Sequence, residues 1–180
     1  PVDICVPHAM DDARTVFHLH GGHVPASVDG YPESTFGPGD PPVSYVYPNH
    51  QQAGYLWYHD HALAVTRLNV HMGLAGLYFL RDDAEDALGL PAGEFELPLI
   101  VQGRAFNPDG SFSSPATWEA HVTGDKILVN GKVWPYLDVK KGKYRFRIVN
   151  GSGSRTYTLS LSPPSGTLNC ASNAPGKSSK

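Results

Sequence analysis

Short apolar runs, many with apolar and polar residues in alternation, are separated by turn-forming Gly, Pro, Asn and Asp along most of the chain. Runs of this length and composition are typical of β-strands. The predicted strands are Thr15–His20, Val43–Tyr47, Tyr55–His59, Leu74–Leu80, Phe95–Gln102, Lys126–Val129, Trp134–Val139, Lys143–Val149 and Thr156–Leu161. A short helical turn is expected within Ala62–His71. The pattern predicts an all-β chain, an antiparallel sandwich with Greek-key connections.

Composition narrows the function classes without choosing one. Hydrophobic residues make up 41% and charged residues 17% of the chain, with 19 Gly and 16 Pro, which fits a globular β protein rich in turns. A net charge of −3 gives no basic stripe for nucleic acid. No apolar run approaches the ~20 residues that a membrane helix needs. The two cysteines, Cys5 and Cys170, form no metal-spaced motif.

Two histidine pairs carry the chemical signal. His18 and His20 lie in "FHLHGG", and His59 and His61 lie in "LWYHDHAL". Residues two apart on a strand point to the same face, about 6.5–7 Å apart at ~3.3 Å per residue. That spacing suits two rings that reach different ions of one cluster. Imidazole is a good ligand for copper, zinc, iron and nickel, so two pairs on neighbouring strands predict a metal site.

Longer motifs around these pairs resemble the multicopper oxidases, with the nearest likeness to bacterial spore-coat laccases and bilirubin oxidases. They are "TVFHLHGGHVPASVDGYPE", "YPNHQQAGYLWYHDHALAVTRLNVHMGLAGLYFLRD" and "ILVNGKVWPYLDVKKGKYRFRIVNGSGSRTYTLSL". The resemblance runs from about Arg14 to Leu161. It implies cupredoxin-like Greek-key β-sandwiches that hold one type 1 copper and a trinuclear cluster of one type 2 and two type 3 coppers.

By this resemblance, His18 binds the type 2 copper, and His20, His59 and His61 bind the type 3 pair. The other four cluster histidines and the Cys-His type 1 site belong to a C-terminal cupredoxin domain that is not in these 180 residues. Dioxygen and small aromatic reductants would be the partners of the full enzyme, with no nucleic acid and no membrane span. Localisation stays open among spore coat, extracytoplasmic and cytoplasmic.

Two acidic residues accompany the histidines. At the position of Asp29, the resembled family has a carboxylate near the water-exit side of the cluster. Asp29 would then be a buried acid with a raised pKa that relays protons for dioxygen reduction. The alternative is that Asp29-Gly30 is an ordinary turn. Asp60 points away from the pair around it and is expected to accept hydrogen bonds that fix local geometry, or else to be solvated. The remaining histidines match no family ligand position: His8, His23, His50, His71 and His121.

The resemblance also implies an organisation. Residues 1–81 would be the C-terminal part of a first cupredoxin domain, 82–94 a linker, and 95–161 the N-terminal part of a second. Residues 162–180 are poor in large apolar side chains, which predicts a disordered or frameshifted tail. We therefore expect a truncated piece of a longer protein, with a natural short chain that docks on a partner as the alternative.

The motifs and the family resemblance lead us to expect one of two main functions. The first is part of a copper oxidase that couples one-electron oxidation of phenols, aromatic amines or tetrapyrroles to four-electron reduction of dioxygen to water, inactive as an isolated piece. The second is a non-catalytic metal-binding cupredoxin fragment. A zinc hydrolase is chemically feasible as well, because zinc also binds three histidines and a water.

Overall fold

The first of the two β-sheets in the described residues contains His18, His20 and His59, and His61 follows directly after its strand β2. The computed structural model describes residues 14–115 and 119–160. Strands β1 (Phe17–His20), β2 (Gly54–Asp60) and β3 (Ala75–Leu80) form an antiparallel sheet in the order β1-β2-β3. All three strands were predicted, with bounds that differ by a residue or two.

The second sheet follows along the chain. It consists of β4 (Glu96–Arg104), β5 (Lys126–Val129), β6 (Lys132–Val133) and β7 (Arg145–Asn150), in the order β6-β5-β4-β7. β4 and β7 are parallel, which the antiparallel prediction missed. Parallel neighbours need a long connection, and here that connection contains β5 and β6 on the opposite side of β4. The chain is thus mostly β with two sheets.

Three predicted strands do not form in the described residues. The segment Val43–Tyr47 has no ladder partner, and neither has Trp134–Val139 or the described part of Thr156–Leu161. Pro135 lies within the second segment and lacks the N–H that a ladder requires. These three predictions are wrong.

Short helices join the strands. Helix α1 (Thr66–His71) lies in the predicted helical turn. Helix α2 (Asp83–Asp86) lies in the predicted linker, and its N-cap Asp82 accepts hydrogen bonds from the backbone N–H groups of Glu85 and Ala53. Single 3-10 turns occur at Ala26–Val28 and Gly93–Phe95. Among the described residues, no helix is long and apolar enough to cross a membrane. The domain bounds remain a prediction.

A cluster of ion pairs connects the two sheets at α2. Glu96 accepts from Arg81 and Arg147, and Glu85 accepts from Arg145 and Arg147. Hydrogen bonds from Arg81, together with Arg147, lower the pKa of Glu96 to about 2. The Tyr55 hydroxyl of β2 also donates to the Arg147 carbonyl of β7, at 2.9 Å.

Because of these ion pairs, the face of β7 that is buried is the opposite of the one that the sequence predicts. The sequence predicts a half-exposed strand in which the apolar Phe146 and Ile148 alternate with basic residues. In the structure Phe146 and Ile148 are each 43% exposed, whereas Arg147 is 8% exposed. Arg147 is buried because its guanidinium pairs with Glu85 and Glu96, and a buried charge needs such partners. Among the described residues, the buried apolar side chains are Val16, Leu19, Ala62, Leu80, Val101 and Leu128.

Candidate metal centre

The register of β1 and β2 brings the four motif histidines together. His18 pairs directly with His59 across the ladder, and the period-2 alternation puts His20 on the same face as His18. The ring centroid of His18 lies 5.6 Å from that of His20, 5.3 Å from His59 and 4.8 Å from His61. The predicted convergence of the two pairs is therefore present in the structure.

A loop carbonyl fixes the orientation of His18. Its Nδ1 lies 2.6 Å from the Asp29 carbonyl oxygen. Since a carbonyl only accepts, Nδ1 carries a proton, and in the neutral ring Nε2 is then the nitrogen with the lone pair. Gly30 permits this approach: it has φ +85°, and a Cβ there would lie 2.1 Å from the Phe17 carbonyl oxygen.

His59 is oriented in the same way. Its Nδ1 donates to the Asp60 carbonyl at 2.7 Å, which leaves the Nε2 lone pair free. This Nε2 lies 3.2 Å from Nδ1 of His20. Burial holds the pKa of His59 below its ordinary value, and the nearby His18, His20 and His61 lower it further, against the opposing effect of the Asp60 carbonyl. His59 is thus kept in the neutral form that a metal requires.

His61 has an unpartnered nitrogen at the edge of the cluster. Its Nδ1 is buried and has no hydrogen-bond partner in the part of the chain that the structure describes. Buried polar atoms normally have a partner, so this atom marks a position for a ligand. The His61 ring lies 5.8 Å from that of His59.

Asp60 holds the chain between the two histidines of the second pair. Its buried carboxylate accepts from the Thr15 hydroxyl at 2.6 Å, from the Val16 N–H at 3.1 Å and from the Ala62 N–H at 3.1 Å. These bonds join the start of the β1 segment to the end of β2. The expectation that Asp60 fixes local geometry agrees with these contacts, and Asp60 is not solvated, being 2% exposed.

The donor set fits a cluster of late first-row metal ions. Ligand nitrogens of His18, His20 and His59 all lie within 4.8 Å of one another. Two nitrogens that bind one tetrahedral ion at ~2.0–2.1 Å are about 3.3 Å apart, close to the 3.2 Å between His20 and His59. An all-imidazole set suits copper and zinc better than magnesium or calcium.

Two neighbours of the cluster were not identified from the sequence as parts of the site. The Trp57 ring lies 4.3 Å from that of His59 and 5.4 Å from that of His20, so it covers one side of the imidazoles. The Gln51 side chain accepts from the His23 N–H and donates to the Gly21 carbonyl, which fixes the turn after β1. Trp57 lies two residues before His59 on β2 and therefore shares its face, which was a usable signal. Gln51 lies in a loop, and the sequence around it gave no signal of a role in the site.

The structure places Asp29 beside His18 but does not bury its side chain. An Asp29 carboxylate oxygen lies 3.5 Å from Nδ1 of His18, and the side chain is 52% exposed. The expectation of a buried carboxylate is therefore wrong, because the 3-10 turn at Ala26–Val28 presents this residue at the surface. The proton-relay role remains a proposal. His71 is separate from the cluster, at the end of α1 beside Phe112.

Comparisons with known proteins agree with this site. Residues 2–85 match the family described as multicopper oxidase. A laccase of Bacillus subtilis (strain 168) is 46% identical over 173 residues, which cover 86% of this chain and 34% of that protein. The chain belongs to the multicopper oxidase family. A laccase of Bacillus stratosphericus is 48% identical over 175 residues, with the same coverage.

Solved structures of multicopper oxidases have a similar fold. The McoA multicopper oxidase of Aquifex aeolicus superposes with a TM-score of 0.68 at 33% identity, covering 79% of this chain and 32% of that chain. The two-sheet arrangement therefore matches the cupredoxin architecture of these enzymes. The chain spans about a third of the length of the multicopper oxidases it matches.

Proposed function

We propose that this chain supplies half of the trinuclear copper cluster of a laccase- or bilirubin oxidase-like enzyme. His18 would bind the type 2 copper, and His20, His59 and His61 the type 3 pair. The convergence of four imidazoles supports this proposal above all, since their centroids lie 4.8–5.8 Å apart in the pairs that touch. When bound, copper would supply the redox chemistry that reduces dioxygen.

The chain's own residues prepare the site for that chemistry. The carbonyls of Asp29 and Asp60 hold the protons of His18 and His59 on Nδ1, so that Nε2 faces the cluster. Trp57 excludes water from one side of His59. The half-exposed Asp29 carboxylate lies 3.5 Å from Nδ1 of His18; because this nitrogen already carries a proton, Asp29 would pass protons from solvent toward the cluster without using Nδ1 as the acceptor.

The full oxidase activity would need a second set of ligands. By family resemblance, four more histidines and the type 1 copper belong to a C-terminal cupredoxin domain, and the reducing substrates are phenols, aromatic amines or tetrapyrroles. Residues 1–81 would then belong to the first cupredoxin domain and 95–161 to the second, joined through 82–94. A non-catalytic metal-binding module is the alternative function for the chain by itself.

Copper titration of the purified chain tests the ligand assignment. We expect copper to bind with a spin-resonance spectrum of nitrogen ligands, and His59→Gln to weaken binding at least tenfold. His50→Gln, a change at an exposed histidine outside the cluster, is the matched control and should bind like the parent. Equal copper affinity in His59→Gln would refute the assignment. A preference for zinc with no nitrogen-ligated copper signal would instead favour the hydrolytic alternative.

A further inference from the structure

Strand β7 is the last strand of the second sheet and pairs on one side only, with β4. Directly after β7, the Gly151 N–H donates to the Val101 carbonyl of β4 at 2.8 Å. Backbone groups alternate in direction along a strand, so the N–H and C=O groups of Phe146 and Ile148 point away from β4, toward the open edge. No hydrogen bond among the described residues engages these four groups. The edge of β7 is therefore free to pair with another strand.

The same two residues also expose apolar side chains. Phe146 and Ile148 are each 43% exposed, on the face of β7 opposite to the buried Arg147. The first sheet has an edge strand of equal length, β3, but none of its residues is exposed. The other edge of the second sheet, β6, has two residues, one of them Lys132. Short edges and lysines resist pairing with another chain, whereas a longer edge with exposed apolar side chains favours it.

The part of the chain that continues after β7 lacks the pattern of a covering strand. A strand over Phe146 and Ile148 would need large apolar residues at alternate positions. In residues 161–180 the large apolar residues are Leu161 and Leu168, which are not at alternate positions. A second copy of the chain does offer such a strand, namely its own β7.

We propose that β7 pairs with β7 of a second copy, antiparallel and with the two-fold axis at Ile148, so that the two four-stranded sheets become one. Such an interface is self-complementary, as two-fold symmetry requires.

Charge selects this register, because like charges directly opposite each other destabilise a strand pair. An axis at Arg147 would put two guanidinium groups opposite each other, and an axis at Phe146 would put Arg145 opposite the second copy's Arg147. With the axis at Ile148, Arg147 faces Val149, the two Ile148 side chains pair, and Phe146 lies diagonal to the second copy's Ile148. The interface needs no metal, so it is independent of the copper proposal.

Sedimentation velocity of the whole chain tests the association, with a chelator present so that copper does not link histidines of two copies. We expect a reversible equilibrium between monomer and dimer. Ile148→Lys brings two charges together at the axis and should weaken dimerisation at least tenfold. Leu90→Lys is the matched control, because Leu90 is also 43% exposed and lies outside both sheets. A monomer at every concentration, a species larger than a dimer, or equal effects of the two variants would overturn the proposal.

A cysteine at the axis then tests the register, in a chain in which Cys5 and Cys170 are replaced by serine. Ile148→Cys puts two thiols on opposed residues with Cα atoms ~5.5 Å apart, a distance that a disulfide spans. With oxidised glutathione, we expect a disulfide-linked dimer on a non-reducing gel. Phe146→Cys is the control, because the two Phe146 positions lie four residues apart along the strands, about 13 Å. Equal linking of the two variants, or no linking of Ile148→Cys, would overturn the proposal even if Ile148→Lys does not fold.

Discussion

His18 and His59 are direct partners across the antiparallel pair of β1 and β2, with ring centroids 5.3 Å apart. This single register determines the geometry of the centre. A slip by one residue would turn one pair to the other face of the sheet, because side chains alternate along a strand. The contacts that hold the register are therefore as necessary for the site as the ligands.

Asp60 makes several of these contacts, and the Asp60→Asn variant tests their contribution. The Asn side chain would keep one acceptor, but an amide N–H₂ would replace the other oxygen. In the arrangement that keeps the Thr15 and Val16 bonds, this N–H₂ faces the Ala62 N–H, a contact between two donors. We expect a loss of about 1–3 kcal/mol in the free energy of unfolding, measured by urea denaturation. Asp138→Asn, at an exposed carboxylate, should stay within about 0.5 kcal/mol of the parent. A similar loss in both variants would contradict this role of Asp60.

Gly30→Ala tests how closely the Asp29 loop must approach β1. A Cβ at Gly30 would lie 2.1 Å from the Phe17 carbonyl oxygen, in addition to the strain of φ +85°. Gly39→Ala is a matched control, because Gly39 has φ +86° and nothing within 4 Å of its Cβ position. Backbone strain alone costs about 1–3 kcal/mol, so the control should lose that much and Gly30→Ala clearly more.

The same pair of variants separates stability from metal binding. Displacing the loop removes the carbonyl that orients His18. Copper affinity should therefore fall in Gly30→Ala, under conditions where it is folded, and stay unchanged in Gly39→Ala. Titrations that give equal copper affinities for the two folded variants would show that the Asp29 carbonyl does not orient the ligand.

The Glu96 cluster predicts a dependence of stability on pH. The pKa of Glu96 falls from an ordinary value of 4.5 to about 2 in the folded chain, chiefly through its hydrogen bonds with Arg81. A lowered folded pKa means that the stabilisation is complete above about pH 4.5 and is lost as the pH falls toward 2. Urea unfolding at pH 7 and at pH 3 measures this loss.

Glu96→Gln should remove part of that dependence and destabilise the chain at pH 7 by about 1–3 kcal/mol, because its bonds with Arg81 are partly exposed to solvent. Glu94→Gln is its control, because the Glu94–Lys140 pair is exposed and worth at most about 1 kcal/mol. If both variants kept the parent's change in stability between pH 7 and pH 3, Glu96 would not be a source of the acid sensitivity.

The convergence of the four histidines was predictable from the sequence, whereas the groups that orient them were not. Alternation along β1 and β2 put His18 and His20 on one face, and the family resemblance paired them with His59 and His61. The carbonyl of Asp29 and the amide of Gln51 act from loops, where no periodicity reports direction. Their positions depend on the tertiary fold.

The prediction of the second sheet was limited in the same way, because some of its features depend on the tertiary fold. Apolar alternation located β4, β5 and β7, but it gave the wrong inner face for β7, because the ion pairs of Arg147 outweigh the burial of Phe146 and Ile148. The parallel pairing of β4 and β7 depends on a long connection whose path no local pattern encodes. Pro135 was a usable signal at Trp134–Val139, where the apolar pattern wrongly predicted a strand.

The last prediction is that the 180-residue chain, produced alone and loaded with copper, does not reduce dioxygen catalytically. Half a ligand set leaves each ion open to exchange, since no closed cage holds it. A blue copper centre needs a cysteine with two histidines, and neither Cys5 nor Cys170 lies in a His-Cys-His context in the sequence. We expect copper binding without the blue absorption band, and no steady oxygen uptake with a phenolic donor in an oxygen electrode. Uptake that a copper chelator abolishes would show that the chain assembles a complete site, and the proposal that it supplies only half of the cluster would then be wrong.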